Sequence, residues 1–244
     1  MLLQDFNKTV ADIVRADYRT ADVFKKYGIS CCDENRVSLL ETCTSRNLDY
    51  NSILEELSQA TKTITISNFL HFSEWKISFL IDYIKNVHHA YMHMALSSIE
   101  SSLISYIDTH KKKQPEINRI LFLFRELSVL LMTHSRHEEE IIFPYIRQIE
   151  NTFLRKETYG NLFVRTLRKP LSNIEKEHEV AMSILKEIQS LSNNYTCPSS
   201  GCADQSAIYQ KLNEFHLDMV QHTHLEDDIL YPKAIEMERE LLQL

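Results

Sequence analysis

From residue 74 onward the chain repeats apolar residues every three or four positions in four long stretches, the period of helices that bury one face. The first carries Met92, Leu96, Ile99 and Leu103; the second carries Leu123, Leu127, Leu130, Ile141 and Tyr145. The third carries Leu167, Leu171, Ile174, Ala181, Leu185 and Ile188, and the fourth Ile208, Leu212, Phe215, Met219 and Ile229. Turn-forming residues separate them: KKKQP before Glu116, the neighbourhood of Gly160, and NNYTCPSSG ending at Gly201. Four amphipathic helices with three connections predict an all-α fold, a four-helix bundle over residues 74–244. Upstream, VADIVRADYRTADVFKKYG reads as one or two short helices closed by Gly28, so residues 1–58 are expected to form a small helical domain. Residues 59–73 lack helical period, are rich in Thr and Ser, and are expected to be the linker.

Two stretches of the bundle are copies of one motif: HSRHEEEIIFP at residues 134–144 and HTHLEDDILYP at 222–232. Each has a His and a Glu four residues apart, two more acidic residues, two aliphatics, an aromatic and a Pro. Positions i and i+4 share a helix face, so each pair aims an imidazole and a carboxylate at one point. That face is the apolar one. His134 and Glu138 continue the series 123, 127, 130 and 134, and His222 and Glu226 the series 212, 215, 219 and 222. The other two helices each add a histidine on the same criterion, His178 in the series 171, 174, 178 and 181, and His89 three before Met92. His88 competes with His89, and His137 and His224 with their neighbours.

A lone histidine on an apolar face is ordinarily a core residue bonded to backbone. Six polar groups on four core stripes need a compensating charge, because an unpartnered buried carboxylate costs several kcal/mol, on the order of its desolvation. A metal supplies that charge. Four His and two Glu without Cys favour iron over zinc, with manganese possible, and the number of donors suits two ions. Two His on each ion, both Glu bridging, and an oxo or hydroxo bridge would give a di-iron centre with one open position per iron for O2, NO or peroxide. Pro144 and Pro232 predict a bend near the end of their helices, and Pro170 the first turn of the third. Glu177, beside His178, could line a route to the metals.

Composition narrows the alternatives. Only 3 glycines and 5 prolines occur in 244 residues, which disfavours a hairpin-rich structure, and 43% hydrophobic with 25% charged residues suits a packed globular protein. A formal net charge of −7 without a basic stripe gives no support for binding nucleic acid. Asp5 and Asp12 stand where a secretory signal would need a basic and then an apolar stretch, and no apolar run approaches the ~20 residues of a membrane span. A cytoplasmic protein that does not bind membranes is the expectation. Five cysteines, Cys31, Cys32, Cys43, Cys197 and Cys202, do not read as a disulfide framework. The adjacent pair Cys31 and Cys32 suits thiolate chemistry or transient iron binding, with Cys43 a possible third thiol, and Cys197 and Cys202 could pair if oxidised.

With YGISCC at 27–32, HHAY at 88–91, KEHEVA at 176–181 and both copies of the long motif, the chain resembles the repair-of-iron-centres family, the iron-sulfur cluster repair di-iron proteins. The resemblance covers nearly the whole length. It implies a hemerythrin-like di-iron bundle behind a short domain bearing a vicinal cysteine pair, and it places the first-helix ligand on His89. It also implies restoration of iron-sulfur clusters damaged by nitrosative or oxidative stress, by supplying iron to damaged iron-sulfur proteins or a cluster scaffold. A sensor of NO or O2 and an NO-reducing enzyme are the alternatives, and only the last would be catalysis in the strict sense. A homodimer is possible. Two departures stand out: Met182 lies four after His178, where oxygen-carrying hemerythrins have a second His, and Asp33 and Glu34 replace the family's two glycines after the cysteine pair.

Overall fold

Four long helices antiparallel in sequence order make the body of the molecule. The computed structural model describes residues 8–30, 37–62, 70–110, 115–155, 168–199 and 201–243. The first long helix is α5 (Ile77–Tyr83), a π-helical turn (Ile84–His89) and α6 (Ala90–Thr109). The second is α7 (Pro115–His137), a π turn (Glu138–Ile142) and α8 (Phe143–Arg155). The third is α9 (Arg168–Leu191), and the fourth is α10 (Ala203–Thr223), a π turn (His224–Leu230) and α11 (Tyr231–Gln243). Contacts of α6 with α7 and α10, and of α9 with the same two, close the ring of a bundle.

The π turns explain where the apolar pattern and the structure part company. Each π turn adds one residue to the helical repeat and rotates the remainder of its helix by about 100°. The pattern placed Ile141 and Tyr145 on the core face; Ile141 is instead 55% exposed and Tyr145 half-buried, while Ile142, Phe143 and Ile146 are buried. Likewise Ile229 is half-buried and Leu230 and Tyr231 are buried in its place. Leu130 is also half-buried, with Leu131 in the core, and Leu167 lies outside the described residues. Pro144 and Pro232 are each the second residue of the α-segment that succeeds a π turn. There the hydrogen-bond ladder is already changing register, so the donor that Pro lacks costs least. Pro170 is the third residue of α9, within its first turn, as expected.

Two apolar clusters fill the bundle. One runs from Met92 through Leu131 and Ala181 to Met219, the other from Ile84 through Ile142 and Ile174 to Leu230. Between them on every long helix lies the layer of His and Glu residues.

The N-terminal unit is four short helices, α1 (Val10–Ala16), α2 (Thr20–Lys26), α3 (Leu39–Ser45) and α4 (Tyr50–Ala60). Thr9 caps α1 by accepting from the Asp12 N–H, and Ser38 and Glu41 form a reciprocal capping box on α3. Such caps are worth about 0.5–2 kcal/mol each in helices too short to persist alone. Gly28 ends α2 at φ +68°, with the Ile29 N–H donating back to the Phe24 carbonyl at 2.9 Å. The unit's core, including Val10, Phe24, Leu39, Ile53 and Leu57, also takes in Ala203 and Ala207 of α10, on which α1 packs. Cys43, 1% exposed, sits in that core as a small hydrophobe rather than as an accessible third thiol. A 3-10 turn (Phe72–Glu74) precedes α5, and Lys233 donates to the Ser73 and Trp75 carbonyls at 2.7 Å, strapping it to α11.

Arg19 ties the unit together. Its guanidinium donates to both oxygens of Asp17 and to the carbonyls of Thr61 and Lys62 at the end of α4. Hydrogen bonding to Arg19 holds the Asp17 carboxyl below its ordinary range. A depressed carboxylate pKa stabilises the fold above the unfolded value and loses that contribution as pH falls through the folded one. Asp17→Asn should therefore cost about 1 kcal/mol near neutrality. Parent and variant should converge in thermal melts below the ordinary carboxylate range.

Candidate metal centre

The duplicated motif, separated by 88 positions in sequence, meets in space. His134, His178, His222 and Glu226 each present one ligand atom, all within 4.8 Å of one another, and so do His89, Glu138, His222 and Glu226. The two quartets share His222 and Glu226 and together contain the six residues singled out by pattern. All six side chains are at most 2% exposed.

Their Nε2 atoms converge on the two carboxylates. Glu138 Oε2 is approached at 3.3 Å by both His89 and His134, and Glu226 Oε2 by His222 at 2.9 Å and His178 at 3.2 Å. Glu226 Oε1 lies 3.9 Å from His89 Nε2. Each carboxylate thus stands between histidines of different helices. Three histidines are oriented from behind: Nδ1 of His89 on Glu139 at 2.9 Å, of His134 on Glu177 at 2.8 Å and of His178 on Asp227 at 3.0 Å. A carboxylate can only accept, so Nδ1 donates, and in the neutral ring Nε2 is left with a lone pair turned inward.

That arrangement fits cations. Nε2 of His178 and of His134 face each other at 2.9 Å although both rings donate through Nδ1. With both Nδ1 protons so engaged, a further positive charge, a proton or a metal ion, must lie between the two Nε2 atoms. Nε2 of His89, both nitrogens of His222, Oε2 of Glu138 and both oxygens of Glu226 have no hydrogen-bond partner despite complete burial. Buried polar atoms orphaned in this way cost about 1–3 kcal/mol each, more when charged. The field agrees in sign. Burial alone lowers the pKa of His89, but Glu138, Glu226 and Glu139 outweigh it and carry it to about 9. Burial is likewise outweighed at His178, which Asp227 and Glu226 push up to about 10. Burial raises Glu226, but the neighbouring His222 and His178 hold it well below the carboxylate range. The point where the six groups meet is strongly favourable for positive charge, and the residues present fit a metal.

The close contenders separate cleanly. His88 is buried but bonds Asp218 at 2.9 Å and stacks on His222, ring centroids 6.1 Å apart, while His89 supplies the converging Nε2. His137 is exposed, and His224 is exposed and paired with Asp228. Glu177 keeps 40% of its side chain exposed and reaches the cluster only through His134. Cys31 and Cys32 lie outside the described residues.

Pattern reasoning missed the orienting acids Glu139 and Asp227 and the hydroxyl of Tyr231, which donates to Glu138 Oε1. The signal was available in the motif: the residue after each ligand Glu is acidic in both copies. The copies differ where Phe143 aligns with Tyr231. Phe143 stacks on the His89 ring at 5.7 Å and has no hydroxyl to offer Glu226, so the two carboxylates are not equivalent.

Among known proteins, the hemerythrin HHE cation binding domain matches residues 80–234, and a domain of unknown function, DUF542, matches residues 6–61. The iron-sulfur cluster repair protein ScdA of Staphylococcus epidermidis is 25% identical over 230 residues, covering 92% of this chain and 96% of the relative. The iron-sulfur cluster repair protein YtfE of Cronobacter sakazakii is 26% identical over 239 residues, covering 91% and 93%. That of Yersinia pestis is 26% identical over 248 residues, covering 94% and 97%. These matches fall on the stretches that carried the resemblance drawn from the motifs. Among the described residues no helix is long and apolar enough to cross a membrane.

Asp227→Asn removes the charge behind His178 while keeping a polar group of the same shape. Metal affinity, measured by competition with a chelator, should fall about 10–100-fold. Helix content by circular dichroism should not change.

Proposed function

Because this chain belongs to the hemerythrin family of HHE cation binding domains, we propose that His89, His134, Glu138, His178, His222 and Glu226 hold two iron ions. We further propose that the protein repairs iron-sulfur clusters damaged by nitrosative or oxidative stress, acting as a source of iron for the damaged proteins or their scaffold. The observation that carries the two-ion reading is the pair of buried quartets joined through His222 and Glu226. One cation would satisfy one quartet and leave the orphaned atoms of the other.

The repair reading is supported by relatives that bear that name along more than nine-tenths of this chain. Iron bound at such a site supplies redox and ligand-exchange chemistry. The chain's own contribution is to hold it without trapping it. Structural zinc sites, by contrast, are closed off by four protein ligands, cysteine thiolates among them. Here His178 instead forms part of the wall of a surface groove of about 550 Å³, with Glu175, Glu179 and Asp227 beside it. The carboxylates of that wall favour a cation as it crosses between the cluster and water. The aliphatic and aromatic layers on either side, including Met92, Leu131 and Met219 on one and Ile84, Ile142 and Leu230 on the other, close the remaining directions.

The test is metal content by plasma mass spectrometry, then reactivation. Protein from iron-replete cells should carry about two irons per chain, and Glu138→Ala and Glu226→Ala should each lose metal while remaining helical. The iron-loaded parent should then restore an iron-sulfur hydratase inactivated by nitric oxide, and the variants should not. Zinc, absent metal or unchanged variants would remove the centre; a loaded parent that restores nothing would remove the repair role.

A further inference from the structure

The connection between α9 and α10 holds a second group of reactive side chains that the metal cluster does not use. Between Cys197 and Cys202, the Gly201 N–H donates to the Pro198 carbonyl at 2.7 Å. Cys197 Sγ lies 3.8 Å from the Cys202 carbonyl oxygen. A Cβ on residue 201 would stand 2.4 Å from that sulfur, so glycine there is what admits the approach. Both cysteines are thiols, and both are half-buried.

Cys202 is also the N-cap of the 21-residue helix α10, yet its side chain does not cap it. Its Sγ instead lies 3.5 Å from Nε2 of His110, the residue that ends α6. His110 Nδ1 is 2.9 Å from the Tyr106 carbonyl. A carbonyl only accepts, so Nδ1 carries the proton and Nε2 offers a lone pair to the thiol. Stacking on the Tyr106 ring, centroids 4.0 Å apart and 20° between planes, fixes the imidazole. Base, orienting group and nucleophile are thus within hydrogen-bond reach of one another in turn, and the positive end of a long helix stabilises the thiolate that results.

We propose that Cys202 is a hydroperoxide-reactive thiol activated by His110, with Cys197 as its resolving partner. His110 takes the Cys202 proton. The thiolate attacks one peroxide oxygen, the O–O bond breaks, and the departing oxygen leaves as water or an alcohol with that proton. Sulfur is oxidised by two electrons to a sulfenic acid and the peroxide is reduced. Cys197 sulfur then attacks Cys202 sulfur, the hydroxyl leaves as water with the Cys197 proton, and a disulfide joins the two. Burial raises the Cys197 thiol, with the neighbouring Cys202 as the next cause, which suits the slower partner. The reaction is independent of the metal reading.

The experiment uses the full chain with Cys31→Ser and Cys32→Ser, metal-loaded and metal-stripped, treated with limiting hydrogen peroxide, alkylated and mapped by mass spectrometry. A Cys197 to Cys202 disulfide is expected in both preparations. Cys197→Ser should accumulate a Cys202 sulfenic acid that dimedone captures. His110→Ala should slow Cys202 oxidation roughly ten-fold at neutral pH and move its rate-pH profile upward, which a merely structural histidine would not do. Gly201→Ala should leave sulfenic acid formation intact and slow the disulfide. A profile unchanged in His110→Ala, first oxidation at Cys197, or reaction only in the metal-loaded chain would overturn the proposal.

Discussion

Two fully buried carboxylates face four imidazole rings in the middle of a helical bundle, and much of the architecture serves to keep them there. In water these groups would each find partners at no cost. Inside the bundle their mutual repulsion and lost hydration are tolerable only if a positive charge is supplied and its position is held by packing on both sides. The two apolar clusters that flank the layer provide that packing, and Glu139, Glu177 and Asp227 fix three of the rings from behind. The π turns belong to the same solution. Three of the four long helices change register within the ligand layer, and His89, Glu138 and Glu226 lie on those turns. Rings and carboxylates are thereby brought to a common centre that a uniform helix would overshoot.

The bundle and its six candidate groups were legible because burial imposes a period and a duplicated motif marks two of the four helices. What period could not supply was phase beyond a register change. Ile141 and Ile229 continue an ideal helix, and nothing in their own chemistry announces the extra residue before them. Pro144 and Pro232 were the available hint, since a missing donor is best tolerated where the ladder is already shifting. The choice of His89 over His88 was likewise beyond pattern, because a π turn buries both. It took the resemblance, and then the Asp218 contact of His88, to tell them apart. The orienting acids escaped because each serves a histidine on another helix, a relation with no footprint in local spacing.

The site is a near two-fold object whose symmetry is broken at a few contacts. Glu139 and Asp227 occupy equivalent places, each behind a histidine of a neighbouring helix, but Tyr231 hydrogen-bonds Glu138 while Phe143 leaves Glu226 without such a donor. Glu177 stands behind His134, whereas the equivalent neighbour of His222 is the stacked ring of His88. Chemical inequivalence between the two halves is therefore a property of the protein itself, carried by a handful of side chains.

The packing of α1 against α10 has a mechanical meaning. The fourth helix contributes His222 and Glu226, the members common to both quartets, whereas α9 contributes His178 to one of them. A force applied to the third helix would disturb half of the centre. The N-terminal unit touches α6 through Lys25 and Asp22 as well, but α1 packs on the helix whose smallest translation is felt by the whole of it.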